Sequence, residues 1–293
     1  MADRPNISRI EAVVNLASGG ATPQDVEQLR AMLAERGAVA NVQVAEGAEI
    51  ERRLRSAVDA APDLLVVLAG DGTARAAADM AGPQGPLIAP LPGGTMNMLP
   101  HAVYGAVPWQ EALRGALEHG QERSIGGGLV EGRSFLVAAI LGAPALWAPA
   151  REAVREGQLR LAFARVRRAW RRAFSGRLRY SLDGGPRGKA EAVAFLCPLA
   201  STALSNEAQS LEAAVIDPQT MAEAARIGIK ALVDDWRNDP AVSAGPCLQA
   251  RVWAASRVPA VLDGEPVWLG SSARVDWRSQ VARLLAPPRE RAA

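Results

Sequence analysis
A chain of 293 residues, 49% hydrophobic and 22% charged, is long enough for one large domain or two smaller ones and has the balance of a folded, water-facing protein. Its net charge of +2 exerts no global pull toward nucleic acid, so any basic surface must be local. Cys197 and Cys247 lack CxxC spacing, and His101 and His119 are the only histidines, which argues against a disulfide framework and against a zinc site of Cys and His.

The opening "MADRPNISRIEAVVNLASGG" lacks the basic and then apolar order of a secretory signal, and the expectation is a cytoplasmic protein, peripheral at most on the inner membrane face. From Ile10 to His119 apolar runs alternate with helical patterns: "IEAVVNL", "TPQDVEQLRAMLAERG", "AVANVQVA", "GAEIERRLRSAVDAA", "DLLVVLAG", "GTARAAADMAG", "PLIAPLPGG" and two further helical segments. That order predicts a parallel sheet wrapped by helices. Thr22 before Pro23 marks a helix start, and Gly37 and Gly82 mark helix ends. Ligands of such sheets bind beyond the carboxyl ends of the strands, where "NLASGG", "AGDGT" and "LPGGTMN" all fall.

After Gln121 the pattern changes to shorter β-like runs with turns: "RSFLVAAIL", "GRLRYSLDGG", "KAEAVAFLCPLA", "LEAAVI", "LQARVWAAS", "PAVLDGEPVWLG" and "ARVDWR". These predict an antiparallel sandwich or open barrel. The apolar stretch from Phe135 to Ala150 is too short for a bilayer span and is broken by Gly142, Pro144 and Pro149, so it reads as core. A basic helical insertion interrupts the strands from Arg151 to Arg179, with Leu159, Phe163, Val166, Trp170 and Phe174 at helical spacing and arginines over the rest. A solvated face and a contact with anionic lipid would use the same residues, and the sequence leaves both open. The domain expectation is 1–121 for the α/β part, 122–278 for the β part, and 279–293 for a tail that packs back on the first domain and frays at its end.

The junction Ala69-Gly70-Asp71-Gly72-Thr73 has two readings on its own: a tight strand-to-helix turn with Thr73 or Asp71 as cap, or a phosphate site in which glycines admit the anion and helix amides hold it. Taken together, the loops "VVNLASGG", "AGDGT" and "PLPGGTMN" resemble the catalytic domain of the diacylglycerol kinase family, whose members include bacterial lipid kinases and sphingosine kinases. Downstream, "VLDGEPV" resembles the Asp-Gly-Glu turn of that family's second domain, and the likeness runs from about Arg9 to Pro287. The resemblance implies a Rossmann-like nucleotide-binding α/β domain followed by an antiparallel β-sandwich, with ATP, Mg²⁺ and a lipid hydroxyl meeting between them.

By position, the resemblance implies that Ala69, Gly70, Asp71, Gly72 and Thr73 cradle ATP phosphates, that Gly94, Thr95 and Asn97 form the adjacent wall, and that Asn15 and Ser18 reach the nucleotide from the first loop. It implies Asp71 as the partner of Mg²⁺ and Glu265 as the general base that takes the acceptor's proton. Asp263-Gly264 is also the favoured pair for a two-residue hairpin, as is Asp183-Gly184. Three departures stand out. Ala69 replaces the first glycine of the Gly-Gly-Asp-Gly-Thr loop and would be strained at positive φ; Leu16 stands where that first loop often has proline; and "LSNEAQSLEAAVID" replaces the Asp-Asp-Gly segment that binds a structural Mg²⁺ in some relatives, with Asn206 and Glu207 as substitutes not assigned as ligands. The competing readings are a non-catalytic nucleotide-binding member of the family and a kinase of a soluble substrate such as NAD.

Overall fold
The computed structural model describes residues 5–37, 39–142, 177–201, 204, 208–220, 222–224, 226–227, 230 and 236–288. Most of the arginine-rich insertion, Asn206 and Glu207, and the end of the tail fall outside these described residues. The chain divides into two compact units, Met1–Gly126 with Ser279–Ala293, and Gly127–Arg278.

In the first unit β1 (Arg9–Asn15), α1 (Pro23–Ala34), β2 (Val39–Ala45), α2 (Glu49–Asp59), β3 (Leu64–Ala69), α3 (Asp71–Ala81), β4 (Leu87–Pro92), α4 (Met98–Tyr104) and α5 (Trp109–His119) follow one another in the alternation read from the sequence. The strands pair in the order β2-β1-β3-β4, all parallel. β3 is buried at every position, as a central parallel strand covered on both faces must be. Val14, Val66 and Leu68 pack with Leu29 and Leu33 of α1 and Leu113 of α5 in one core. Thr22 caps α1 in a capping box with Asp25, whose other oxygen accepts the Trp109 indole N–H at 2.9 Å and so ties α5 to α1. Gly37 and Gly82 take positive φ just past α1 and α3, so the expected helix stops hold.

The second unit contains β6 (Arg133–Phe135), β7 (Ala138–Gly142), β8 (Leu178–Leu182), β9 (Gly188–Ala190), β10 (Ala192–Leu196), β11 (Leu211–Ile216), β12 (Val242–Cys247), β13 (Gln249–Trp253), β14 (Pro259–Leu262) and β15 (Glu265–Trp268). Two strands run through the unit boundaries, β5 (Gln121–Val130) and β16 (Ser272–Ala286). One antiparallel sheet has the order β12-β11-β10-β7-β14-β15. In the other, the start of β16 pairs with β13, then β8 and β9. Phe135, Leu141, Phe195, Leu211, Val252, Leu262 and Val275 form a core between them, so this unit is a β-sandwich. The end of β16 lies in the first unit, where Leu284 pairs in parallel with Ile88.

Two expected strands are each divided in two. "RSFLVAAIL" breaks at Leu136-Val137, whose amides are taken by the Asp263 carboxylate instead of a neighbouring strand. "KAEAVAFLCPLA" breaks at Glu191, where the chain passes from one sheet to the other. Two strands carry no apolar pattern to announce them, β5 with three consecutive glycines and β12 with Gly245 and Pro246. The glycine in β5 has a packing reason: a Cβ on Gly128 would sit 1.9 Å from the ring of Phe135, its partner on β6.

Candidate active site
Three loops leave the carboxyl ends of β1, β3 and β4 in the first unit. They touch through backbone. A Cβ on Gly94 would lie 2.4 Å from the Cα of Gly70, one on Gly20 would lie 2.8 Å from the carbonyl of Gly93, and one on Gly93 would lie 2.7 Å from the nitrogen of Ala69. Only glycine permits these approaches. The Gly20 N–H donates to the Gly93 carbonyl at 3.2 Å and the Gly93 N–H to the Ala69 carbonyl at 3.1 Å.

The polar side chains of the loops pin them in place. Asn15 accepts the Ala17 N–H at 3.1 Å and donates to Thr73 Oγ1 at 3.1 Å, joining the first loop to the start of α3. Ser18 Oγ lies 2.6 Å from the Asn15 carbonyl and 2.5 Å from that of Gly93. Asn97, with φ 52°, accepts the Gly94 N–H at 2.8 Å and donates to the Gly94 carbonyl at 3.0 Å, holding the third loop in a closed turn. Asparagine tolerates that left-handed backbone better than most residues.

Gly70 is the N-cap of α3 and offers no side chain to accept the first amides of that helix, while the Thr73 N–H donates to the Gly70 carbonyl at 3.1 Å. Asp71 is buried at the first position of α3, but it caps a different helix: Oδ1 accepts the Leu99 N–H of α4 at 2.9 Å. It thereby couples the second loop to the third. Ala69 is the last residue of β3, in extended backbone and fully buried, so the strain expected of a methyl group at positive φ does not arise.

Asn15, Ser18, Ala69, Gly70, Asp71, Gly72, Thr73, Gly94, Thr95 and Asn97 therefore gather on one rim of the first unit. Glu265 lies in the second unit, as the first residue of β15 after a turn in which Asp263 has φ 46° and Gly264 φ 87°. Both positive values define the type I′ hairpin. Asp263 is 2% exposed and its carboxylate accepts the N–H groups of Leu136, Val137 and Ala138 at 2.7 to 2.9 Å. Gly20, Gly93 and Leu99 were not singled out from the sequence, although the doubled glycines of "ASGG" and "LPGG" are the signal for the first two.

Among the described residues no helix is long and apolar enough to cross a membrane, and no three or more acidic, Cys or His side chains gather as a metal cage. The molecule is thus an α/β unit with glycine-lined strand-end loops, carrying an antiparallel β-sandwich. Residues 9–127 match the family model of the diacylglycerol kinase catalytic domain, which bears out the resemblance over the segment that holds all three loops. Two solved structures from Bacillus anthracis str. Sterne share the fold. One, provisionally named a diacylglycerol kinase, gives a TM-score of 0.74 at 16% identity, covering 96% of this chain and 98% of that one. Another, named a diacylglycerol kinase, gives 0.69 at 14% identity with the same coverage. No curated protein matches this sequence.

Proposed function
We propose that this chain is a lipid kinase that transfers the γ-phosphate of ATP to a hydroxyl of diacylglycerol or a related lipid. The observation that carries the reading is the closure of three glycine loops on one another, within the segment that matches the diacylglycerol kinase catalytic domain. That closure sets glycine loops without side chains beside the α3 N-terminus on one rim, which suits a polyphosphate.

The residues present fit ATP with Mg²⁺. Gly70, Gly72 and Thr73, with the first amides of α3, take the phosphates, and Gly94, Thr95 and Asn97 wall them. Asn15 and Ser18 serve from the first loop, where their hydrogen bonds hold the rim closed. At the rim the buried carboxylate is Asp71, which would hold an ion that takes phosphate oxygens and water as its other ligands. Bound there, Mg²⁺ would neutralise charge on the transferring phosphoryl group. Glu265 takes the proton of the acceptor hydroxyl as general base. Partner contact with anionic membrane and location at an inner membrane face belong to the same reading.

Transfer of labelled γ-phosphate from ATP to a mixed lipid extract tests it, with wild type and Glu265→Ala side by side and NAD offered in parallel. A labelled lipid is expected with wild type, reduced at least about a hundredfold in the variant while ATP binding persists. Label on NAD alone, or equal lipid label in both proteins, would overturn the assignment.

A further inference from the structure
The outward face of the sheet formed by β9, β8, β13 and the start of β16 collects cations. In register, Arg251 of β13 lies opposite Arg274 of β16 on one side and Ser181 of β8 on the other, while Arg179 lies opposite both Lys189 and Trp253. Ala250, Val252, Ala273 and Val275 between them point into the sandwich core, and the two-residue period of a strand directs the arginines outward, where they are exposed. Arg187, just before β9, places its guanidinium 5.6 Å from the centroid of the Trp253 ring. Arg187, Arg251, Arg274 and Trp253, with Ser181 and Gln249, line a concavity of about 280 Å³ built entirely within the second unit.

Stability does not account for this arrangement. Like charges directly opposite on neighbouring strands are unfavourable. The one acid in the register is Asp276, which accepts from Arg274 Nε at 2.8 Å. Arg179, Arg187, Lys189 and Arg251 form no ion pair among the described residues.

We propose that this face is a docking surface for the phosphates of an anionic lipid bilayer. Charge complementarity selects the occupant: five cations stand against two acids, Asp276 in the register and Asp183 in the adjoining turn, and guanidinium groups pair with phosphate oxygens through paired, parallel N–H donors. Trp253 adds an aromatic body with a polar edge, suited to headgroup depth. The occupant rests on the lipid kinase reading; the charge of the face does not.

Partition onto vesicles tests it without ATP. Wild type is expected to bind vesicles of phosphatidylcholine mixed with phosphatidylglycerol, not pure phosphatidylcholine, and to be released by salt. The triple change Arg187→Gln, Arg251→Gln, Arg274→Gln should weaken partition on the order of a hundredfold. A control removes equal charge from helices of the first unit, Arg30→Gln, Arg52→Gln and Arg55→Gln, and should leave partition within about threefold of wild type. Binding by the triple variant equal to wild type, an equal loss in the control, or no binding by wild type overturns the docking face. Turnover on lipid dispersed in non-ionic detergent reads the kinase assignment separately, and the triple variant should retain it.

Discussion
Two turns of the second unit share the segment Leu-Asp-Gly and differ at the next position, Gly185 in one and Glu265 in the other. Their backbones agree: φ is 48° and 72° at Asp183 and Gly184, and 46° and 87° at Asp263 and Gly264. Their aspartates also act alike. Asp183 Oδ1 accepts the N–H groups of Leu248 and Gln249 at 2.9 and 2.8 Å, fastening the start of β13, while Asp263 fastens the approach to β7. The Asp-Gly pair is therefore architecture in both turns, and the turns part at the residue that follows it, Gly185 in one and Glu265 in the other. The two differ in burial, since Asp263 is 2% exposed and Asp183 is at the surface.

That difference in burial sets the order of expected effects. Replacing Asp263 with alanine leaves buried amides of Leu136 and Val137 without their acceptor and should cost about 4 kcal/mol in unfolding free energy, read by urea denaturation. A loss under about 1 kcal/mol would break the comparison, because Asp263 would then hold no more than a surface turn does.

A third acid sharpens it. Glu191 is buried like Asp263, but its Oε1 has no hydrogen-bond partner. Burial pushes its carboxyl up to about 7, with Arg177 opposing and Asp217 adding to the shift. A folded-state value above the unfolded one means the native state holds more protons between pH 4.5 and about 7, so stability falls as pH rises through that window. Glu191→Gln should flatten that fall and leave the variant on the order of 2 kcal/mol more stable than wild type at about pH 8. Parallel profiles for the two proteins between about pH 5 and 7.5 would remove Glu191 as the cause. Asp183→Ala ranks below both, at about 1 kcal/mol, because water can satisfy the exposed amides of Leu248 and Gln249. Its measurement is the same denaturation run beside Asp263→Ala.

The first unit was the more legible of the two. Its strands, helices and loops arise from apolar runs separated by caps and glycines, signals that act over a few residues, such as Thr22 with Asp25 at the start of α1. The sandwich hid more because its breaks are set from far away in sequence. Nothing near Leu136 announces that Asp263, 127 positions on, will take its amide and end a strand. β5 escaped because Gly128 makes room for the ring of Phe135 and the run of three glycines leaves no apolar pattern. At the rim the residue types were readable, but their connections were not: Asp71 reads as a cap for its own helix and instead caps α4.

Ala69 gives the smallest effect and the finest test of how glycine is used. In the two turns, glycine stands where φ is positive, and an alanine there would be strained. At Ala69 the backbone is extended, paired in parallel with Pro92, and the methyl group is fully buried. Glycine at this position would add freedom to the unfolded chain and remove a buried methyl, with no strained conformation to relieve. Ala69→Gly is therefore expected to lower stability by roughly 0.5–1 kcal/mol and to leave ATP affinity unchanged. Thermal denaturation and a nucleotide titration on the same preparation measure both. A clear gain in ATP affinity would show that the methyl group obstructs the nucleotide site proposed for this rim, and the departure from glycine would then weaken that site.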